Sequence, residues 1–306
     1  MLNAMIWALA CFGVVAADIA LSVVLFSVLD AVSVLTGYPI DSLDIQWFQA
    51  AAQTASFLMA LLWWRYLWPR SFMARRQGER PLGGGAGAAW KRIARVVVIG
   101  LSMQVVISYL CDGVLSLLPE VAADYSELVE ETGMGDTSYL AVLTTVIGAP
   151  FCEELLVRGI IFEFSLRAFN PQCRPLWKRR CRANAQDGTM VPWAAPSTWG
   201  IAAAIVLQAA IFGFMHMNWV QGCYAGAAGF IFGWVLVTTG KLRYTILLHF
   251  AFNAGSYLMG LLWFVNTPLD VVVTVAIAGV ILVEAMRSLR QACQQSAASA
   301  STAFPH

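Results

Sequence analysis

Residues 139–164 read YLAVLTTVIGAPFCEELLVRGIIFEF, and this stretch decides the fold class. It is long and apolar enough to cross a bilayer, yet its centre carries Glu153, Glu154 and Arg158. Charged side chains at membrane depth cost several kcal/mol, so they persist only where they are paired or used. The stretch therefore predicts a transmembrane helix that faces a protein interior and supplies functional side chains.

The whole chain has the composition of a polytopic membrane protein. Of its 306 residues 59% are hydrophobic and 12% are charged, and the mean hydropathy is +0.68. Soluble domains carry roughly 25% charged residues. The seven cysteines form no CxxC pair, so we expect neither a disulfide framework nor a zinc knuckle.

Apolar stretches of about 20 residues mark eight predicted spans, and no soluble domain is evident. Their approximate bounds are 3–29, 46–68, 93–118, 139–164, 198–216, 221–239, 243–265 and 269–288. The expected fold is an all-α membrane bundle of about eight transmembrane helices. We divide it into helices 1–3 with a basic loop (1–138), a catalytic core of helices 4–7 (139–256), and the end of helix 7, helix 8 and a disordered tail (257–306).

Basic residues are confined to alternate loops. They cluster between spans 2 and 3, in the loop 171–196, between spans 6 and 7 and after span 8, whereas the loop after span 3 is acidic. The positive-inside rule then places both termini in the cytoplasm. Compact loops and the lack of a targeting segment favour a bacterial inner membrane. Arg158 alone breaks the rule, so it needs a local partner.

The first polar cluster combines an ion pair with a second acid. On a helix, residues four apart share a face and neighbours diverge. We therefore expect Glu154 to pair with Arg158 and Glu153 to be left without a partner. A free carboxylate in a bundle interior suits a general base. The alternative is that a polar interior merely tolerates both acids.

Two further pairs repeat the four-residue spacing. Phe212 precedes His216 at the end of span 5, and His249 precedes Asn253 on span 7. Phe212 can pack beneath the imidazole of His216, while His249 and Asn253 can donate hydrogen bonds from one face, which suits an oxyanion hole. A histidine at a helix end is by itself more often structural, but the three clusters together favour catalysis.

At this point the sequence resembles a known family. EELLVR at 153–158 matches EExxxR, FGFMH at 212–216 matches FxxxH, and HFAFN at 249–253 matches HxxxN. In this order the motifs are similar to those of the CPBP intramembrane glutamic proteases, which include CAAX prenyl proteases and bacteriocin-processing (Abi) proteins. The resemblance covers about residues 139–256, and eight spans is the family's usual number.

The resemblance implies a role for each motif residue. Glu153 would activate the hydrolytic water with help from His216, and His249 and Asn253 would stabilise the tetrahedral oxyanion. The supporting residues would be Glu154, Arg158 and Phe212. No cofactor or metal is implied, and the partners would be membrane lipids and a peptide or membrane-protein substrate, with or without a lipid group, but no nucleic acid. The long basic loop 171–196 departs from the pattern and leaves substrate access open.

Three alternatives remain. The first is a metal-dependent membrane protease, because two histidines and two carboxylates are of the kinds that bind zinc, although no HExxH motif is present. The second is a transporter or scaffold, because Asp18 and Asp112 also lie in spans and intramembrane acids can relay protons. No matched pair of broken helices supports a carrier. The third is a non-enzymatic bacteriocin-immunity protein.

The depths of the two histidines disagree if the helices are straight. At 1.5 Å per residue, His249 lies about 9 Å from the start of span 7 and His216 about 27 Å from the start of span 5. Tilted helices, a cytoplasmic extension of spans 4 and 5, or displaced boundaries are the alternatives that would bring them together.

Overall fold

The computed structural model describes residues 2–37, 42–74, 82, 85–132, 136–170 and 196–303. Every regular element within these ranges is helical, which confirms the all-α prediction. The longer helices are α1 (Leu2–Thr36), α2 (Ser42–Leu67), α3 (Gly85–Leu115), α4 (Pro119–Thr132), α5 (Tyr139–Ala168), α6 (Thr198–Met215), α7 (Trp219–Thr239), α8 (Leu242–Leu258) and α9 (Pro268–Ala303). A 3₁₀ turn, Met259–Leu262, extends α8.

Seven of these helices, α1, α3 and α5 to α9, are long and apolar enough to cross a membrane. The remaining predicted span, 46–68, corresponds to α2, which is 26 residues long but richer in glutamine and packs against α1 and α5. The acidic loop after span 3 contains the helix α4. The chain is an integral membrane protein built as a polytopic helical bundle.

Helix α5 is irregular at the positions that carry the first motif. Two π-helical segments, Thr144–Gly148 and Glu154–Ile161, interrupt it, and Pro150 lies between them. Each π turn accommodates an extra residue and changes the direction of the following side chains, and such turns are frequent at functional sites. All residues of the second segment are buried.

Small residues bring neighbouring helices close together. A Cβ placed on Gly222 of α7 would lie 3.0 Å from the carbonyl oxygen of Gly213 on α6. A Cβ on Gly100 of α3 would lie 2.7 Å from Cβ of Ala251 on α8. Both approaches occur within one bundle, as small-residue packing in membranes allows.

Helices of unequal length account for the depth mismatch. From Glu154 to the end of α5 at Ala168, and from Thr198 at the start of α6 to Phe212, the chain runs about 21 Å. From Leu242 to His249 on α8 it runs only about 10 Å. These lengths fit an extension of α5 and α6 beyond the start of α8, which is one of the three alternatives given above.

The prediction of a disordered tail is wrong for residues 291–303. From Gln291 the chain continues as part of α9 up to Ala303. Cys293 and Ser296 are buried, and Nη1 of Arg92 on α3 donates to Oγ of Ser296 at 3.2 Å. Alanine is the best helix former, so the Ala- and Ser-rich composition was wrongly interpreted as disorder. Residues 171–195 of the predicted basic loop lie outside the described residues.

Candidate active site

The predicted pair of Glu154 and Arg158 is present. Nη1 of Arg158 lies 2.9 Å from Oε1 of Glu154, and both side chains are fully buried. Nη2 donates to the carbonyl oxygen of Gly229 at 3.3 Å. The guanidinium carbon lies 4.3 Å from the ring centre of Phe212 and 4.8 Å from that of Phe232. The Glu154 carboxylate, the Gly229 carbonyl and the faces of two aromatic rings thus replace the water that would otherwise solvate the Arg158 guanidinium.

His249 joins both glutamates, which the spacing argument did not predict. Its Nδ1 lies 3.0 Å from Oε1 of Glu154, and its Nε2 lies 3.8 Å from Oε2 of Glu153. The first distance is a hydrogen bond and the second is too long for one. Glu154 therefore accepts from His249 on α8 as well as from Arg158, and the Glu153 carboxylate lies near the same imidazole. Only the packing of α5 against α8 reveals this relationship.

His216 is held by its own helix. At the end of α6 its main-chain nitrogen bonds to the carbonyl of Gly213 at 3.2 Å, which frees the carbonyl of Phe212. Nδ1 of His216 lies 2.8 Å from that freed oxygen. A carbonyl can only accept, so Nδ1 carries the proton and Nε2 of the neutral ring keeps its lone pair. Met217 follows with a φ of 54°, which completes the tight turn into α7.

The ring of Phe212 lies between the two imidazoles. Its centre is 5.0 Å from that of His216 and 6.0 Å from that of His249, and both pairs meet nearly at right angles. Edge-to-face contacts of this kind are favourable for aromatic rings. Phe212 therefore links the two histidines as well as covering Arg158.

Asn253 bonds to the backbone of α5. Its Nδ2 donates to the carbonyl oxygen of Thr145 at 2.8 Å. That carbonyl lacks a donor in its own helix, because the amide of Ala149 bonds to Thr144 and Pro150 has no amide hydrogen. A backbone carbonyl at membrane depth needs an internal partner, and Asn253 supplies it.

Glu153 and His216 face one cavity of about 220 Å³. Helices α1, α2, α5 and α6 line it with Asp18, Ser22, Ala52, Gln53, Ser56, Cys152, Glu153, Phe212, Met215 and His216. The Glu153 side chain is 28% exposed, whereas that of Glu154 is 0% exposed. The structure thus brings Glu153 and His216 to a common space, while His249 and Asn253 are not among its lining residues.

The described residues offer no ready metal site. Within the described ranges no group of three or more His, Cys, Asp or Glu side chains is placed to hold a metal ion. Near the motifs, Oε1 of Glu154 already accepts from Arg158 and His249.

A second buried ion pair on α5 was missed by the sequence interpretation. Nε of Arg167 lies 2.9 Å from Oε1 of Glu163, and Oε2 of Glu163 accepts from the amide of Phe72 at 2.9 Å. The Arg167 guanidinium also lies 4.9 Å from the ring of Trp7. The repeated ExxxR spacing could have indicated this pair, but Arg167 lies beyond the predicted end of span 4 at residue 164. The pair fastens α1 and the segment after α2 to the end of α5.

Comparison with known families matches residues 135–255 to the family described as Rce1-like, type II CAAX prenyl endopeptidase Rce1-like. Comparisons with curated proteins and with solved structures give no match. The matched residues contain all three motifs, the helices α5 to α7 and α8 up to residue 255. The resemblance read from the motifs is confirmed over residues 135–255, which match the model of the Rce1-like family of type II CAAX prenyl endopeptidases.

Proposed function

We propose that this protein is an intramembrane endopeptidase in which Glu153 and His216 activate the water that hydrolyses a peptide bond. The observation that carries the proposal is the common cavity of these two side chains inside the helix bundle. A general base must reach the proton that it takes, and both groups face the same space.

Glu153 is better placed than Glu154 to act as the base. Its carboxylate reaches the cavity, while that of Glu154 is enclosed with Arg158 and His249. Nε2 of His216 keeps its lone pair, so it can accept a proton and later return it to the leaving amine. Loss of a general base lowers turnover by about 10²–10⁴-fold.

His249 and Asn253 are the proposed donors to the oxyanion. Nδ1 of His249 is committed to Glu154, so only the imidazolium form has a second N–H, at Nε2, for the oxyanion. Asn253 has two amide hydrogens, and the one bound to Thr145 anchors the group while the other remains available. Donors fixed before the reaction need no rearrangement as charge develops.

The substrate is proposed to be a peptide or a membrane-protein segment. We further propose a bacterial inner membrane with both termini and the loop 171–196 on the cytoplasmic side, as the distribution of basic residues indicates. Labelling of Cys173 and Cys181 with a membrane-impermeant maleimide tests this orientation. Labelling in inverted vesicles alone supports it, and labelling in intact cells contradicts it.

The function is tested with purified protein in liposomes and a library of quenched fluorescent peptides. Wild type should cleave a subset, and Glu153→Gln should lose that cleavage while its thermal unfolding midpoint stays near that of wild type. Glu284→Gln, an exposed acid on α9, is the matched control. The proposal is refuted by near wild-type turnover in Glu153→Gln. Activity lost on chelation and restored by zinc would favour the metal-dependent alternative.

A further inference from the structure

The cavity has a second polar wall that none of the three motifs contributes. Asp18 and Ser22 of α1 and Gln53 and Ser56 of α2 face the space that also holds Glu153. All four lie before residue 135, outside the segment that matches the family. The cavity is therefore formed by the matched segment together with α1 and α2, which lie outside it.

The Asp18 carboxylate has few polar partners to replace its hydration in an apolar helix. It lies within the span Ala4–Thr36, and its Oδ1 is buried without a hydrogen-bond partner among the described residues. A polar neighbour of this carboxylate is the hydroxyl of Ser56, a buried residue that lines the same cavity. One hydroxyl replaces only part of the hydration that such a group loses.

The charges around the cavity do not balance. Asp18 and Glu153 face it, and no Lys or Arg is among its lining residues. Arg158 is enclosed with Glu154 behind the cavity, Nδ1 of His216 is bound to the carbonyl of Phe212, and His249, whose Nε2 lies 3.8 Å from Oε2 of Glu153, is not a lining residue. An anionic space at membrane depth is most stable when a cation enters it, because attraction between charges is strong where water is scarce.

We infer that Asp18 binds a cationic group of the substrate, namely a Lys or Arg side chain or a free amino terminus, beside the bond that is cut. The inference rests on the proposed function and adds a substrate preference to it. An ammonium or guanidinium group has several donors, and Ser22, Gln53 and Ser56 line the same cavity with side-chain oxygens of the kind that accept from N–H groups. Asp18 would select the substrate, while Glu153 and His216 act on the water.

A substrate pair tests the preference directly. Peptides that wild type cleaves are remade with Lys or norleucine at each position beside the cleaved bond. Wild type should cleave one Lys peptide with a higher kcat/KM than its norleucine counterpart. Asp18→Asn should reduce this preference about tenfold or more, mainly by raising KM for the Lys peptide. The norleucine peptide should still be cleaved. Asp30→Asn, at an exposed position on the same helix, is the matched control. An equal preference in Asp18→Asn and wild type overturns the inference.

A second measurement does not depend on proteolysis. In Ser22→Cys protein, the rate of modification at position 22 is measured by mass spectrometry with aminoethyl methanethiosulfonate, which is cationic, and with neutral methyl methanethiosulfonate. The cation-to-neutral rate ratio should exceed that of a thiol in solution, and adding Asp18→Asn, but not Asp30→Asn, should lower it. A ratio equal to the solution value overturns the inference. If the protein cleaves no peptide but the rate ratio is raised and depends on Asp18, the cation site is supported and the proposed proteolytic function is refuted.

Discussion

Oε1 of Glu154 accepts hydrogen bonds from two helices, from Nη1 of Arg158 at 2.9 Å on α5 and from Nδ1 of His249 at 3.0 Å on α8. The carboxylate therefore fixes the imidazole orientation and the helix contact together. The EExxxR and HxxxN motifs are thus joined through Glu154. A substitution of Arg158 should therefore change the position of the His249 imidazole.

The first prediction concerns Arg158→Met, which keeps much of the side-chain volume and removes the charge. Glu154 would stay buried without its guanidinium partner, which costs about 3–5 kcal/mol when a buried pair loses one member. Thermal unfolding in detergent should show a lowered midpoint, and turnover should fall as well. Arg287→Met is the control, because its exposed pair with Glu284 is worth about 0–1 kcal/mol.

The double change Glu154→Gln with Arg158→Met completes this test. It removes both charges, and the Gln amide oxygen still accepts from His249. The double variant should therefore be more stable than Arg158→Met alone. Losses that simply add would show that the two residues do not stabilise each other.

The second prediction concerns Phe212→Leu. Leucine keeps an apolar side chain but loses the ring that meets His216, His249 and Arg158. We expect a lower kcat with little change in KM, because the imidazoles lose their common neighbour. Phe214→Leu, at a 61% exposed position of the same helix, is the control. Equal effects of the two changes would remove the positioning role of Phe212.

Relationships within one helix were predictable from the sequence. Glu154 with Arg158, and Phe212 with His216, follow from the four-residue spacing, and both pairs meet in the structure. The pairing of Glu154 with Arg158 survives although a π segment begins at Glu154, because residues four apart remain close there.

Relationships between helices were not predictable. The contact of His249 with both glutamates depends on the different lengths of α5, α6 and α8, which hydropathy does not report. Asn253 meets Thr145 only because a π segment and Pro150 free a carbonyl on another helix. The sequence places Asp18 in a predicted span, but only packing brings it to the cavity that Glu153 also lines.

The third prediction compares two glycines on one face of α7. A Cβ on Gly229 would lie 3.1 Å from Cδ1 of Phe212 and 3.2 Å from Nη2 of Arg158, whereas a Cβ on Gly226 would meet only the carbonyl oxygen of Ala209, at 3.6 Å. Gly229→Ala should displace the guanidinium and cost about 1–3 kcal/mol, as overpacking does. Gly226→Ala should be neutral or slightly stabilising, because alanine favours the helix. Thermal midpoints of both variants give the answer, and equal shifts would contradict the close packing at Gly229.

The last prediction separates two roles of Asn253. Its side chain satisfies the carbonyl of Thr145, and we propose that it also donates to the oxyanion. Asn253→Ala should therefore lose stability by about 1–3 kcal/mol, since a carbonyl at membrane depth loses its donor. It should also lower kcat by about 10²–10³-fold with little change in KM.

Pro150→Ala distinguishes these effects, because it adds an amide hydrogen five residues after Thr145, where a π turn would bind it. In the Pro150→Ala background the stability loss caused by Asn253→Ala should shrink, since the carbonyl has a new donor. The loss of kcat should remain, because no backbone donor replaces the amide at the oxyanion. Thermal midpoints and steady-state kinetics of wild type, both single variants and the double variant complete the cycle. A full recovery of kcat in the double variant would show that Asn253 acts only by supporting α5.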